Sequence, residues 1–185
     1  SAIGGRNFKI FRHAKNLGKG ASVRTGIKNA TGDYLIIQDA DLEYSPEDYQ
    51  RLLQPILKKQ AKIVFGTRLQ NYPLKLWGKN KTVLPWHLIA NRFLTTLTNF
   101  LYGSNLTDME TGYKLFTREI IKKLDLKSSG FEIEPEITVK TLNLGYNIME
   151  VPIKTKPRGY DQGKKINWRD GFKAVFTLVR YRFYE

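Results

Sequence analysis

Two carboxylates that are separated by one residue follow a short apolar run, and this spacing lets both of them act on one ligand. The run is 35–37, and after Gln38 come Asp39, Ala40 and Asp41. A buried strand that ends in Asp-x-Asp places hard oxygen donors at the carboxyl edge of a sheet, where open α/β sheets bind ligands. Residues i and i+2 of an extended segment project to the same side, so both carboxylates can face one divalent cation that holds a diphosphate.

An Asp-x-Asp pair can also form a turn whose aspartates cap the following helix. In this sequence Ser45 provides a separate helix cap, with Pro46 at the first helical position and Asp48 three residues after the cap. The aspartates are therefore not needed as caps, and a ligand-binding role is favoured for them.

Composition limits the classes of protein to consider. The 185 residues contain no cysteine and only two histidines, His13 and His87, which excludes disulfides and thiolate metal sites and argues against a histidine-rich zinc site. No apolar stretch reaches the ~18 residues of a membrane span, and no signal-peptide pattern opens the sequence. We expect a soluble or peripherally bound intracellular protein. The net charge of +14 favours polyanionic partners, or reflects a solvated lysine-rich surface.

Predicted strands and helices alternate in the first half, which indicates a parallel sheet in an α/β domain. The predicted elements of this half are a strand at 8–12, a helix at 21–29, a strand at 34–38, a helix at 46–59 and a strand at 62–66. Those of the second half are helices at 85–102, 117–124 and 134–144, a strand at 146–154 and a helix at 168–184. The sequence shows no repeat and no clear linker, so it predicts one domain over 1–185, with 167–184 as a carboxyl-terminal amphipathic helix.

Three further polar segments are candidates for function. The segment 105–116 is dense in polar groups and is either a functional loop or an ordinary connection between helices. The segment 130–136 offers three acids near a helix start, where acids can simply complement the helix dipole, an explanation that holds well for Glu132. The third segment is the loop before the last helix, and its cations suit a phosphate or are merely exposed to solvent. These cations are Arg158, Lys164 and Lys165.

Six short motifs occur in order along the sequence. They are Asn16-Leu-Gly-Lys-Gly20, Ala30-Thr-Gly-Asp33, Gln38-Asp-Ala-Asp-Leu-Glu43, Gly66-Thr-Arg68, Thr107-Asp-Met-Glu-Thr-Gly-Tyr-Lys114 and Glu150-Val-Pro-Ile153. Together they resemble the inverting family 2 glycosyltransferases of the GT-A fold, in particular the dolichol-phosphate mannose synthase and polyprenyl-phosphate glycosyltransferase group. The resemblance runs from about residue 8 to residue 183.

The resemblance implies a fold that is only partly present. Family members begin with a strand and a nucleotide-binding loop, and then a second strand that ends in an Asp-Asp-Gly-Ser-like motif, and nothing before residue 8 matches these parts. We therefore expect a GT-A, Rossmann-like, mostly parallel sheet flanked by helices and incomplete at its amino terminus. The pocket for the base and ribose is expected in the missing portion.

The resemblance also implies a reaction. A metal-dependent, inverting enzyme would transfer a sugar from a nucleotide sugar of the GDP-mannose or UDP-glucose type to a polyprenyl or dolichyl phosphate. The nucleophile would be a phosphate oxygen, which is already anionic and needs less help from a base than a hydroxyl would. Asp39 and Asp41 would hold Mg²⁺ or Mn²⁺, with Glu43 as an additional candidate ligand.

Other site residues follow from the same resemblance. Arg68 is expected to face the donor or acceptor phosphate, while Asp108 and Glu136 are candidates for sugar-hydroxyl contacts or a base. Arg158 and Lys165 are the cations expected to contact the acceptor phosphate, and Lys164 is the less favoured of the two lysines. Arg68, Asp108 and Glu136 form the predicted catalytic set together with Asp41.

The final helix is expected to meet a membrane surface. Its aromatic residues include Phe172 and Phe176, and its cations include Lys173 and Arg180. A basic amphipathic helix with aromatic residues suits an anionic membrane, and the alternative is that its apolar face packs on the sheet. The resemblance implies a membrane-associated protein on the cytoplasmic side.

Two alternatives belong to other functional classes. A nucleic-acid-binding module would also be basic and rich in aromatic residues, but the positive charges here are dispersed and no reader motif is present, so we expect no nucleic acid partner. A membrane-associated scaffold could keep the fold without turnover. Neither the sugar nor the base of the donor follows from the sequence.

Overall fold

A four-stranded sheet forms the centre of the computed structural model, which describes residues 8–70, 85–156 and 168–184. The strands are β1 (Tyr34–Ile37), β2 (Ile63–Thr67), β3 (Lys114–Thr117) and β4 (Met149–Pro152), in the spatial order β1-β3-β2-β4. β2 and β4 are parallel, whereas β3 is antiparallel to both of its neighbours. The sheet is thus mixed: β1, β2 and β4 run in one direction and β3 in the other.

Six α-helices surround this sheet in the described residues. They are α1 (Lys19–Asn29), α2 (Tyr49–Leu57), α3 (Pro85–Tyr102), α4 (Arg118–Lys123), α5 (Ile133–Asn143) and α6 (Trp168–Phe183). A 3-10 turn at Pro46–Asp48 precedes α2, and the Ser45 side chain accepts a hydrogen bond from the Glu47 amide there, as its cap position predicts. The α/β class is confirmed.

Two elements differ from the sequence prediction. Residues 8–12 form no strand. A segment with alternating apolar and polar residues needs a neighbouring strand to pair with, and in the described residues no strand pairs with this one. Strand β3 was not predicted, because its four residues begin with Lys114 and follow a polar loop. That lysine is fully buried, and it lies at the point where the loop enters the sheet.

Both faces of the sheet are covered, so the strands are rigid supports for the loops at their ends. On one face Ile63, Phe65 and Phe116 pack with apolar residues of α4 and α5. On the other face Val64 and Leu115 pack with apolar residues of α2. All five residues of β2 are buried, as expected of a central strand. A third cluster joins α3, α5 and α6.

The glycine-rich turn before α1 packs directly against the backbone of residues 128–130. The Gly20 amide donates to the Gly130 carbonyl at 3.2 Å. A Cβ on Gly20 would lie 2.4 Å from the Ser128 carbonyl oxygen, and one on Gly18, whose φ is +91°, would lie 2.3 Å from the Ser129 oxygen. This close approach sets the position of the first turn of α1.

Substitution of Gly20 tests this packing. Gly20→Ala is expected to lower the free energy of unfolding by about 1–3 kcal/mol, because the added methyl group meets backbone atoms that cannot rotate away. Gly26→Ala, in the same helix, places a Cβ with no atom within 4 Å and is expected to stabilise by about 0.5–1 kcal/mol. Urea unfolding of both variants measures the difference, and equal effects would contradict the close approach.

Candidate active site

The turn after β1 carries the Asp-x-Asp pair and contains a strained residue, Leu42, directly after it. Asp41 Oδ1 accepts a hydrogen bond from the Glu43 amide at 3.1 Å. Between them Leu42 has a φ of +61°, and its side chain is 86% exposed. A leucine rarely adopts this left-handed conformation, and such strain is concentrated at functional sites.

Asp39 belongs to a set of alternating charges, which we call the Asp39 cluster: Asp39, Lys19, Glu134 and Lys114. Lys19 Nζ lies 2.6 Å from Asp39 Oδ2 and 2.7 Å from Glu134 Oε1. Glu134 also pairs with Lys114, whose side chain is fully buried. The cluster therefore joins the end of β1, the start of α1, the start of α5 and the start of β3.

Electrostatics keep the carboxylate at the centre of this cluster ionised. Burial alone would raise the pKa of Glu134, but the charges of Lys114 and Lys19 lower that pKa to about 2. Burial alone would lower the pKa of Lys19, but Glu134 and Asp39 raise that pKa above its usual value. Glu134 and Lys19 therefore stay charged at neutral pH, and the cluster pairs two carboxylate side chains with two lysines.

A second group, the Asp108 cluster, consists of Asp108, Arg68 and Asn91. Asp108 Oδ2 accepts from Arg68 Nε at 2.6 Å and from the Arg68 amide at 3.0 Å, and Oδ1 accepts from Arg68 Nη2 at 2.8 Å. Asn91 Nδ2 donates to the same Oδ1 at 3.0 Å. Burial would raise the pKa of Asp108, but Arg68 lowers it. Asp108 therefore holds the Arg68 guanidinium in a bidentate contact that fixes its orientation.

The 107–113 loop links the two clusters. The amides of Thr107 and Asp108 donate to the Glu150 carboxylate at 2.8 and 3.0 Å, and the Gly112 amide donates to the Tyr44 hydroxyl at 2.9 Å. A Cβ on Gly112 would lie 2.7 Å from Asp39 Oδ2. The loop thus contacts Asp39 directly, which assigns the polar segment 105–116 to this site.

Glu136, which the resemblance favoured, has other contacts. Its carboxylate accepts from the Lys127 and Ser128 amides, each at 2.7 Å, and from the Tyr181 hydroxyl at 2.8 Å. Glu134 lies in the Asp39 cluster instead, because residues two apart on a helix project about 200° apart. The contacts of Glu136 join α5 to the preceding loop and to α6.

Lys19, Glu134 and Lys114 were not selected from the sequence, although each lies in a segment that was singled out there. The predicted phosphate-binding cations lie outside the described residues, so their role stays a prediction. They are Arg158, Lys164 and Lys165.

The donor set at Asp39 and Asp41 fits a hard divalent cation. In the part of the chain that the structure describes, no three or more histidine or carboxylate side chains gather round one point. Mg²⁺ at phosphate sites commonly takes one or two carboxylates and completes its shell with phosphates and water, so two aspartates suffice. Asp39 Oδ2 is paired with Lys19 Nζ at 2.6 Å, so a metal ion at Asp39 would bind the other carboxylate oxygen or displace this ammonium. Glu43 as a third ligand stays a prediction.

Comparison with known proteins identifies relatives along nearly the whole sequence. The family described as "Glycosyl transferase family 2" matches residues 2–125. The chain is 31% identical over 180 residues to an uncharacterized protein of Methanocaldococcus jannaschii, and the match covers 95% of the chain and 72% of that relative. It is 30% identical over 174 residues to the UDP-N-acetylglucosamine–dolichyl-phosphate N-acetylglucosaminyltransferase of Methanococcus voltae, with 91% and 67% covered.

A solved structure shows the same fold. The chain resembles glucosyl-3-phosphoglycerate synthase from Mycobacterium tuberculosis in complex with Mn²⁺ and UDP-glucose, with a TM-score of 0.62 and 18% identity, over 89% of this chain and 54% of that one. The chain therefore spans about half the length of this structural neighbour. From its family match, its relatives and its fold, the chain belongs to glycosyl transferase family 2 and has the GT-A fold.

Proposed function

We propose that the chain is part of a single catalytic domain that transfers a sugar, with inversion, from a nucleotide sugar to a polyprenyl or dolichyl phosphate. The observation that carries the proposal is the convergence at Asp39 of the end of β1, Lys19 of the glycine-rich turn and the 107–113 loop. This convergence places carboxylates and cations where open α/β sheets bind ligands.

The donor diphosphate is proposed to bind at Asp39 and Asp41. These residues would hold Mg²⁺ or Mn²⁺, which when bound neutralises charge on the leaving diphosphate. Lys19, paired with Asp39, and Arg68, paired with Asp108, are the cations proposed to contact the diphosphate. The complex of the structural neighbour with Mn²⁺ and UDP-glucose supports this assignment.

The acceptor is proposed to be a lipid phosphate, in line with the name of the Methanococcus voltae relative. A phosphate oxygen is anionic at neutral pH and needs no strong base. We therefore propose that Asp108 orients Arg68, because both of its oxygens accept from that guanidinium and its lowered pKa disfavours proton uptake. Arg158, Lys165 and Lys164 are proposed to contact the acceptor phosphate.

A transfer assay tests the proposal. Sugar transfer to a polyprenyl phosphate is measured in detergent with Mn²⁺ and UDP-glucose, UDP-N-acetylglucosamine or GDP-mannose, on this chain and on any longer natural chain that contains it. We expect product with one donor, and Asp41→Ala should reduce the rate at least about 100-fold. Asp125→Ala, at an exposed carboxylate, should leave the rate unchanged. No product with any donor would favour a scaffold without turnover.

The membrane surface is proposed to meet helices α3 and α6. They pack together, and the Tyr102 hydroxyl donates to the Leu178 carbonyl at 2.6 Å. Both helices also expose large aromatic side chains, namely Trp86, Phe93 and Phe100 of α3 and Trp168, Phe172, Phe176 and Phe183 of α6. One side of α6 is thus packed and the other exposed, and the exposed side is bordered by Arg169 and Lys173. None of the described helices is long and apolar enough to span a membrane.

Removal of two of these aromatic side chains should weaken vesicle binding. Phe172→Ala with Phe176→Ala removes two side chains that are 70% and 67% exposed, and the affinity for phosphatidylserine vesicles is expected to fall about 10- to 100-fold. The control pair, Leu57→Ala with Leu144→Ala, removes exposed apolar groups at the carboxyl-terminal ends of α2 and α5 and should have no effect. Vesicle co-sedimentation measures the affinity, and equal binding by both pairs would contradict the proposed surface.

A further inference from the structure

The 107–113 loop holds two adjacent buried polar atoms that lack a partner. Glu110 Oε1 and Thr111 Oγ1 are buried and make no hydrogen bond with any described residue. Nearly all buried polar atoms in folded proteins are hydrogen-bonded, so two neighbouring exceptions in one loop require an explanation.

Looseness of the loop does not explain them, because the groups around them are well paired. The Met109 amide donates to Thr95 Oγ1 at 3.1 Å. The Met109 and Thr111 carbonyls accept from Lys114 Nζ at 3.1 and 2.8 Å. The backbone is therefore fixed on both sides of Glu110, and this carboxyl is presented by a rigid support.

Four charged groups act on Glu110: Lys114 and Glu134 of the Asp39 cluster, and Arg68 and Asp108 of the Asp108 cluster. Burial is the main cause that raises the pKa of Glu110; Lys114 and Arg68 lower it, Glu134 and Asp108 raise it, and the net pKa is about 7. Each of the four groups already has an opposite charge as its partner. Among the described residues, Glu110 thus lies between two ion pairs and has no ion-pair partner of its own.

The chemistry of this position favours a neutral ligand with hydroxyl groups. The four surrounding charges form two ion pairs, so an anion would meet mainly the Glu110 carboxyl itself, and an apolar group would leave both unpaired atoms without a hydrogen bond. A hydroxyl can donate to Glu110 when the carboxyl is ionised and accept from it when the carboxyl is protonated. The adjacent Thr111 hydroxyl offers a second contact of the same kind.

We propose that Glu110, assisted by Thr111, binds a hydroxyl of the sugar that is transferred. This assignment rests on the proposed function, since a diphosphate held at Asp39 and Asp41 carries its sugar beside the loop that packs on Asp39 through Gly112. Glu110 is then a determinant of sugar specificity. A donor whose sugar lacks the matching hydroxyl would leave a buried polar atom without a hydrogen bond. Sites of this kind strongly disfavour such donors.

The test compares the affinities for a nucleotide sugar and for its nucleoside diphosphate, measured by calorimetry with Mn²⁺ on wild type and variants. The nucleotide sugar is whichever of UDP-glucose, UDP-N-acetylglucosamine and GDP-mannose the wild type binds most tightly. Glu110→Ala should weaken binding of the nucleotide sugar about 10- to 100-fold and change binding of the diphosphate less than about 2-fold. Glu119→Gln, at an exposed glutamate, should change neither affinity.

Equal changes for the two ligands, or no change, would overturn the assignment while leaving the proposed function in place. A wild type that binds neither ligand would overturn the proposed function itself. If Glu110→Ala does not fold, monodeoxy analogues of the donor sugar serve the same purpose. One of them should bind the wild type at least about 10-fold more weakly than the parent sugar, and Glu110→Gln should reduce that discrimination. Equal affinity of the wild type for every monodeoxy analogue would contradict the proposal.

Discussion

Glu134→Gln is expected to lower the free energy of unfolding by about 3–5 kcal/mol at pH 7, the usual cost of removing one partner from a buried ion pair. Glutamine keeps the volume of the side chain and removes only the charge. Lys114, which is fully buried, and Lys19, whose side chain is 17% exposed, would then lose the carboxylate that they share. Chemical denaturation of both proteins measures the change.

The pH dependence of this difference follows from the lowered pKa of Glu134. The group titrates near 4.5 in an unfolded chain and at about 2 in the folded protein, so its stabilising contribution is present above pH 4.5 and is lost as the pH falls toward 2. The gap between wild type and variant should be constant from pH 6 to 8 and narrow below pH 4.5. Glu119→Gln, at an exposed surface pair, should show no such gap. A gap that widens on acidification would contradict the ion-pair account.

Asp108→Asn should have a similarly large effect on stability and a further effect on activity. Loss of the charge leaves the Arg68 guanidinium without its carboxylate, at a cost of about 3–5 kcal/mol. Asp108 orients Arg68 through a bidentate contact, and the variant loses this orientation. In protein that remains folded, kcat/KM for sugar transfer should therefore also fall at least about 100-fold. Asn91→Ala removes one neutral donor from Asp108 and should cost only about 1–3 kcal/mol.

A double-mutant cycle separates positioning from base catalysis. If Asp108 acts through Arg68, then Arg68→Met should reduce kcat/KM as much as Asp108→Asn, and the double variant should be no worse than either single one. If Asp108 were a base, the two losses would multiply, and the rate of Arg68→Met would still depend on titration of Asp108. Steady-state kinetics across pH 5–9 gives both readouts.

Elements with strong local signals were predictable from the sequence. Helix α3 has the predicted bounds and α6 differs from the prediction by one residue, because long apolar periodicity defines such helices without tertiary information. The position of Asp39 and Asp41 after β1 also followed from local pattern. Strand β3 could not be predicted in this way. It has only four residues and begins with a buried lysine, so its sequence shows no alternation of apolar and polar residues that would indicate a strand.

The partners of the charged site residues could not be read from the sequence. Lys19 and Glu134 are 115 positions apart, and each alone has the appearance of an exposed surface charge. Glu136 as a sugar contact or base stays a prediction, and its contacts with the Ser128 amide and the Tyr181 hydroxyl of α6 could not be read from the sequence. Pairing between distant charges is a property of the folded molecule.

Metal-dependent nucleotide binding is the decisive property of the proposed site at Asp39 and Asp41. Titration of UDP and GDP is followed by calorimetry in Mn²⁺ and again in EDTA, on the wild type and on Asp41→Asn, using this chain and any longer natural chain that contains it. Binding of one nucleotide should be at least about 10-fold tighter with Mn²⁺, and Asp41→Asn should abolish that gain. Equal binding in Mn²⁺ and EDTA would contradict a diphosphate-bearing cation at Asp39 and Asp41.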